Sequence, residues 1–214
     1  MAIEAEETGS LVAVIDDDKS VREALEGLLQ SVGLVTTSHA SVQDYLNSGQ
    51  ASRAGCIVLD IRLPGRSGLE FQEALAKSGV SRSVVLISAH VDVQMAVRAM
   101  RAGAIDVLTK PVREQDLLEA INRGLVIDKQ RRQQAVRDSL LRARFETLTE
   151  RERQVLHLVA TGLLNKQIAQ RVNVTEATVK LHRSQVMRKM EAGSIADLVR
   201  MADRLVGMPL PTEL

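Results

Sequence analysis

A chain of 214 residues, 45% of them hydrophobic and 1% aromatic, has room for one large domain or two small ones with aliphatic cores. Tyr45, Phe71 and Phe145 are its only aromatics, which weighs against base-stacking single-strand binders, and Cys56 is its only cysteine, which excludes internal disulfides and thiolate zinc clusters. The net charge of +1 conceals a division: residues 1–125 carry 12 Lys+Arg against 17 Asp+Glu, residues 126–214 carry 16 against 10, and the basic back half suits nucleic acid.

The polar, acidic MAIEAEETGS at the start does not read as a signal peptide or an anchor. LVAVID (11–16) is a short apolar run ending in acids, which predicts a buried parallel strand. Val21, Leu25, Leu28, Leu29 and Val32 recur at helical spacing over 19–32, and Gly33 stops that helix. The alternation continues with a strand at 34–38 and a helix at 41–48, then a strand at 56–60 and a helix at 67–77. A strand at 83–88, a helix at 92–102, a strand at 105–108 and a helix starting near Glu114 complete it. Five strands alternating with five helices predict a doubly wound α/β fold on a five-stranded parallel sheet, with ligands at the carboxyl ends of the strands. Cys56 falls in the third strand and reads as a small buried hydrophobe.

From Glu114 to Phe145 there is no proline, and the one glycine is Gly124. The highly charged stretch 128–144 therefore carries a helix out of the first domain as a linker, either rigid or hinged. Beyond it the pattern is purely helical. Leu148, the cap Thr149 and Glu152 form a capping box for a helix that Gly162 ends. Helices at 165–172, opened by Asn165, and 175–190, opened by Thr175, are joined by a tight turn at Asn173–Val174; a last helix covers 194–205. The pair has helix-turn-helix spacing, whose second helix enters the major groove. Ile168, Ala169, Val172, Val174, Val179 and Val186 face the domain core on this reading.

Placed on the sheet, Asp16 and Asp17 end the first strand, Asp60 the third and Ser88 the fourth, while Lys110 follows the fifth just before Pro111. All five belong at the ligand-binding edge. Three neighbouring carboxylates repel one another and call for a cation; oxygen-only ligands favour Mg²⁺. A metal, a lysine and a hydroxyl around a central carboxylate are the parts that phosphoryl transfer requires. Asp18 reads as a helix cap, Asp92 and Asp106 as surface or capping acids, and His90 as a loop residue.

In order and spacing, VIDDD, VLDIRLPGRSG, VLISAH and VLTKP resemble the flavodoxin-like receiver domain of bacterial response regulators, over residues 10–127. The resemblance implies that Asp60 is the phosphoacceptor and that Asp16, Asp17, Asp60 and the carbonyl of Arg62 hold Mg²⁺. It implies that Ser88 and Lys110 bind the phosphoryl group, that small Ala89 leaves the phosphorus accessible, and that the Lys110–Pro111 bond is cis. One position departs from the family: Val107 stands where a switch aromatic is usual. Asp-nucleophile phosphatases also form aspartyl phosphates, but they carry a second Asp two residues after the nucleophile, where this chain has Arg62; an enzyme is not expected.

Residues 148–206, with LTERERQVLHLVATGLLNKQIAQRVNVTEATVKLHRSQVMRKM, resemble the LuxR/FixJ-type helix-turn-helix. That resemblance implies base contacts from Lys180, Leu181 and Ser184 and backbone contacts from Lys166, Thr178, Arg183 and Lys189. For the last helix it implies a dimer interface through Ile195, Leu198, Val199 and Ala202, although the same residues could simply close the domain core. His157 and His182 read as packing or surface residues.

The whole chain is similar to FixJ/NarL-type two-component regulators: a receiver at 1–127, a helical linker at 128–147 and a DNA-binding domain at 148–214. The expectation is a cytoplasmic transcription regulator, an activator, whose partners are a histidine kinase, double-stranded promoter DNA, RNA polymerase and a second copy of itself, with no membrane. Val107 keeps a second reading in view, a DNA-binding protein that uses its receiver only to dimerise.

Overall fold

The computed structural model describes residues 11–78 and 80–206; the polar N-terminal ten residues and the end of the expected DNA-binding domain, 207–214, lie outside them. The chain divides between Arg131 and Arg132 into two compact units.

The first unit alternates β1 (Leu11–Ile15), α1 (Lys19–Ser31), β2 (Val35–His39), α2 (Val42–Asn47), β3 (Ala54–Asp60), α3 (Gly68–Lys77), β4 (Val84–Ser88), α4 (Val93–Arg101) and β5 (Asp106–Thr109), followed by α5 (Glu114–Glu146). The strands are all parallel, in the order β2-β1-β3-β4-β5. The chain steps from β1 to one neighbour, β2, and then returns to the other side for β3. The reversal opens a crevice at the carboxyl ends of β1 and β3.

Side chains alternate across the sheet with a period of two, so each strand feeds two cores. Ala13, Ile15, Ile57, Leu59, Val84 and Leu86 pack on one face with Val42, Tyr45, Leu69, Phe71 and Ala99. Val12, Val14, Cys56, Val58, Val85 and Ile87 pack on the other with Leu25, Leu29, Leu117, Ala120 and Ile121. Burial of Cys56 pushes its thiol up to about 12, so it behaves as a hydrophobe. Gly124 lets α5 close on the sheet: a Cβ there would stand 2.9 Å from the Cys56 sulfur, and the Ser83 hydroxyl donates to the Gly124 carbonyl at 2.7 Å.

α5 is a single helix of 33 residues, as its lack of proline predicts. Its end is not a free linker. Leu141 is buried and Phe145 partly buried in the core of the second unit, so the expected linker at 128–147 contributes its last turns to that unit's packing. The other helices there are α6 (Glu150–Ala160), α7 (Asn165–Arg171), α8 (Glu176–Met190) and α9 (Ile195–Val206). Ile168, Ala169, Val172, Val179 and Val186 are buried with Val174 packed against them, matching the periodicity. Asn173, at φ 53°, makes the left-handed turn between α7 and α8, a conformation that asparagine tolerates better than most residues.

Candidate phosphoacceptor site and nucleic-acid interface

The ends of β1 and β3 bring Asp16, Asp17 and Asp60 together, with one carboxylate oxygen from each lying within 4.8 Å of the others. Asp16 and Asp60 are buried and Asp17 is exposed. Lys110, on the loop after β5, reaches across the crevice: its Nζ donates to Asp16 Oδ2 and Asp60 Oδ2, at 2.6 Å each. The Lys110–Pro111 peptide is cis, as the resemblance implies. The other oxygens bind backbone: Asp16 Oδ1 accepts from the Asp18 N–H at 3.0 Å, and Asp60 Oδ1 from the Arg62 N–H at 2.9 Å. Every carboxylate oxygen named is therefore oriented, yet each keeps a second lone pair.

The electrostatics are those of three anions and one cation. Burial raises the Asp16 carboxyl above its usual range despite the hydrogen bond from Lys110, and the neighbouring Asp60 charge adds to the rise. For Lys110, burial pulls the other way but is outweighed by the bonds to Asp16 and Asp60, which hold its ammonium above its usual value. Lys110 balances one of the three negative charges. An all-oxygen donor set with an excess of negative charge fits a hard divalent cation such as Mg²⁺.

The remaining expected residues lie on the neighbouring strands and loops. Ser88 is fully buried at the end of β4, and its hydroxyl donates to the His90 carbonyl at 3.1 Å. Ala89 and His90 are exposed. Val107 is half-buried and packs against the sheet core. Asp18 caps α1 through its carboxylate, and the bonds from the Ser20 hydroxyl and N–H hold that carboxyl below its usual range. Asp92 caps α4.

Two supporting residues escaped the sequence reading. Arg22, one turn into α1, donates from Nη1 to the carbonyls of Asp16 at 2.6 Å and Asp17 at 3.0 Å, tying down the loop that carries both acids. No motif announced it. Gly68 opens α3 directly beneath the phosphoacceptor, where a Cβ would fall 2.1 Å from the Asp60 carbonyl oxygen.

In the second unit, α8 presents Lys180, Leu181 and Ser184 to solvent, and Lys166 is exposed on α7. Leu181 is 59% exposed, unusual for a leucine without a surface role. Other members of the expected set hold the unit together. Arg183 donates to Asn165 Oδ1 at 2.6 Å, and the Thr178 hydroxyl lies 2.9 Å from that of the cap Thr175. Lys189 is engaged within the unit: its ammonium bonds Glu152 Oε2 at 2.6 Å and the Thr147 carbonyl at 3.1 Å, pinning α8 to the start of α6. Leu198 and Ala202 are buried in the unit's own core, because α9 turns its apolar stripe inward; of the expected dimer set, exposed Ile195 and half-buried Val199 remain towards solvent. Asn165 does not cap α7. Leu164 precedes the helix, its N–H bonded to Gln167 Oε1 at 2.9 Å, and Asn165 serves Arg183 instead.

A doubly wound sheet with a lysine-bridged aspartate cluster at its switch point, continued by one helix into a helix-turn-helix unit, defines a phospho-receiver joined to a DNA-binding module. The chain belongs to the bacterial response regulators: residues 12–122 match the response regulator receiver domain, and residues 146–202 match the luxR family of bacterial regulatory proteins. It is 45% identical over 196 residues to the response regulator protein TodT of Pseudomonas putida, covering 92% of this chain and 86% of that one. It is 42% identical over 191 residues to the transcriptional regulatory protein FixJ of Azorhizobium caulinodans, covering 89% and 90%. The solved structure of the response regulator StyR matches it with a TM-score of 0.80 at 43% identity, covering 92% of this chain and 99% of that one. No helix among the described residues is long and apolar enough to cross a membrane.

Proposed function

We propose that Asp60 accepts a phosphoryl group from a histidine kinase and that this modification turns the helical unit into a cytoplasmic activator of transcription. The observation that carries the reading is the position of Lys110, whose ammonium sits 2.6 Å from both Asp16 and Asp60. An Asp60 oxygen attacks the phosphorus, and the bond from phosphorus to the donor breaks with its electron pair leaving on the donor. Lys110 then exchanges its Asp60 contact for a phosphoryl oxygen, and the Ser88 hydroxyl turns from the His90 carbonyl to another. Asp16, Asp17, Asp60 and the carbonyl of Arg62 would hold a Mg²⁺ ion, which would offset the charge on the transferring group. Exposed Ala89 leaves the approach open.

Val107 supplies no ring to swing inward, so the response passes through Ser88, Val107 itself and backbone shifts in 92–108. The phosphoryl group must favour one of two receiver states to act at all. In the output unit, Lys180, Leu181 and Ser184 read base edges while Lys166, Thr178 and Arg183 flank the phosphates. Lys189 positions α8. A homodimer bound at a two-fold site, using Ile195 and Val199, engages RNA polymerase. The functional divisions are a receiver at 1–127, a helical connection at 128–147 and the DNA-binding domain from 148 onwards.

Incubation with Mg²⁺ and acetyl phosphate, followed on a phosphate-affinity gel, tests the chemistry. Wild type should shift, Asp60→Asn should not, and Asp16→Asn or chelation should slow the shift strongly. An equal shift in Asp60→Asn would place the phosphoryl group elsewhere.

A further inference from the structure

The second unit holds a cleft to which no residue of the proposed base or phosphate contacts contributes. It lies between the last turns of α5 and α9 and has a volume of about 400 Å³, within the range of small-ligand sites, about 300–1,000 Å³. Helical spacing builds it. Arg137, Leu140, Leu141 and Arg144 share one face of α5, while Asp197, Arg200, Met201 and Arg204 share one face of α9. The lining thus combines an aliphatic surface with four guanidiniums and a single carboxylate.

Intramolecular acids answer these cations incompletely. Arg144 pairs with Glu191, Arg200 meets Asp197 at 3.5 Å, and Arg204 gives its Nε to Asp138 at 2.6 Å. The Nη2 of Arg204 is buried and has no acceptor. Arg137 makes no ion pair among the described residues, and Leu140 beside it is 55% exposed. A buried guanidinium N–H calls for an acceptor, and the planar fork of arginine suits a carboxylate.

We propose that this cleft binds a small amphipathic organic anion, a carboxylate on a short aliphatic body. The carboxylate meets Arg137 and Arg204 Nη2, and the hydrocarbon lies on Leu140 and Met201. Such a ligand gives the output unit an input independent of the phosphorylation of Asp60. It acts on the helix, α5, that leaves the receiver.

Calorimetric titration of the full-length protein with octanoate at fixed ionic strength tests this, with octanol and inorganic sulfate as controls. Saturable one-to-one binding of octanoate is expected, with octanol and sulfate each weaker by about tenfold or more. Arg137→Gln should weaken octanoate about fivefold and Leu140→Asp should abolish its binding. Both residues are exposed, so thermal melts of both variants should match wild type. The proposal is overturned by the absence of saturable heat, by octanol matching octanoate, or by equal octanoate affinity in wild type and the variants.

Discussion

A methyl group on residue 68 would sit 2.1 Å from the carbonyl oxygen of Asp60 and 2.9 Å from Leu59 Cγ. Backbone on one side and a core leucine on the other cannot both yield. Gly68→Ala is therefore expected to cost about 2 kcal/mol or more of stability, the range of overpacked cores, and to displace the phosphoacceptor, as denaturant unfolding and phosphorylation rate would record. Unchanged values for both would show that α3 does not press on the site. A second contrast separates two lysines of α8. Lys180 is exposed, so Lys180→Met should lower the salt slope of promoter binding by about 1. Lys189 is tied to Glu152 and Thr147. Lys189→Met should leave the slope alone and cost about 1–3 kcal/mol of folding stability. Equal slope changes in the two variants would restore Lys189 to the DNA surface.

At the scale of elements, the start of α6 shows how one side chain serves two helices. Glu152 accepts from the Thr149 N–H at 2.7 Å, closing the capping box, and from Lys189 of α8 at 2.6 Å. Burial alone would raise its carboxyl, but the bonds from Lys189 and Thr149 outweigh this and hold it below the ordinary value of 4.5. A carboxyl depressed by folding binds its proton more tightly in the unfolded chain. Its stabilisation is complete above the ordinary glutamate value and is lost as pH falls through the lower folded value. Denaturation between about pH 6 and about pH 3 should show wild type losing stability more steeply than Glu152→Gln; parallel curves would contradict the assignment.

The elements were legible to different degrees, for physical reasons. Short apolar runs and helical spacing make all five strands, their helices and the order of the acidic cluster legible, because strands buried on both faces read as unbroken apolar runs. β3 starts two residues before the expected 56, at Ala54, because Gly55 looks like a turn residue. It is glycine instead because a Cβ there would meet Leu125 at 3.1 Å and Asp128 at 3.2 Å. The inward face of α9 was ambiguous, since one apolar stripe suits a core or a dimer equally well. Contacts made by the long polar side chains of Arg22, Lys189 and Arg183 leave no periodic trace in the sequence.

Across the whole molecule, the charge division has a structural counterpart. The acidic front builds the receiver and concentrates three carboxylates at its sheet edge, while the basic back builds the helix-turn-helix. One uninterrupted helix, α5, belongs to both units, with Leu117 and Ile121 in the first core and Leu141 in the second. On the proposed function, the state of Asp60 sets the affinity for DNA. Promoter-fragment affinity and solution mass, with and without Mg²⁺ and beryllofluoride, in wild type and Asp60→Asn, test this directly. Tighter binding and a dimer are expected for treated wild type alone. Identical affinity and mass in all four samples would contradict it and leave a DNA-binding protein that its receiver does not gate.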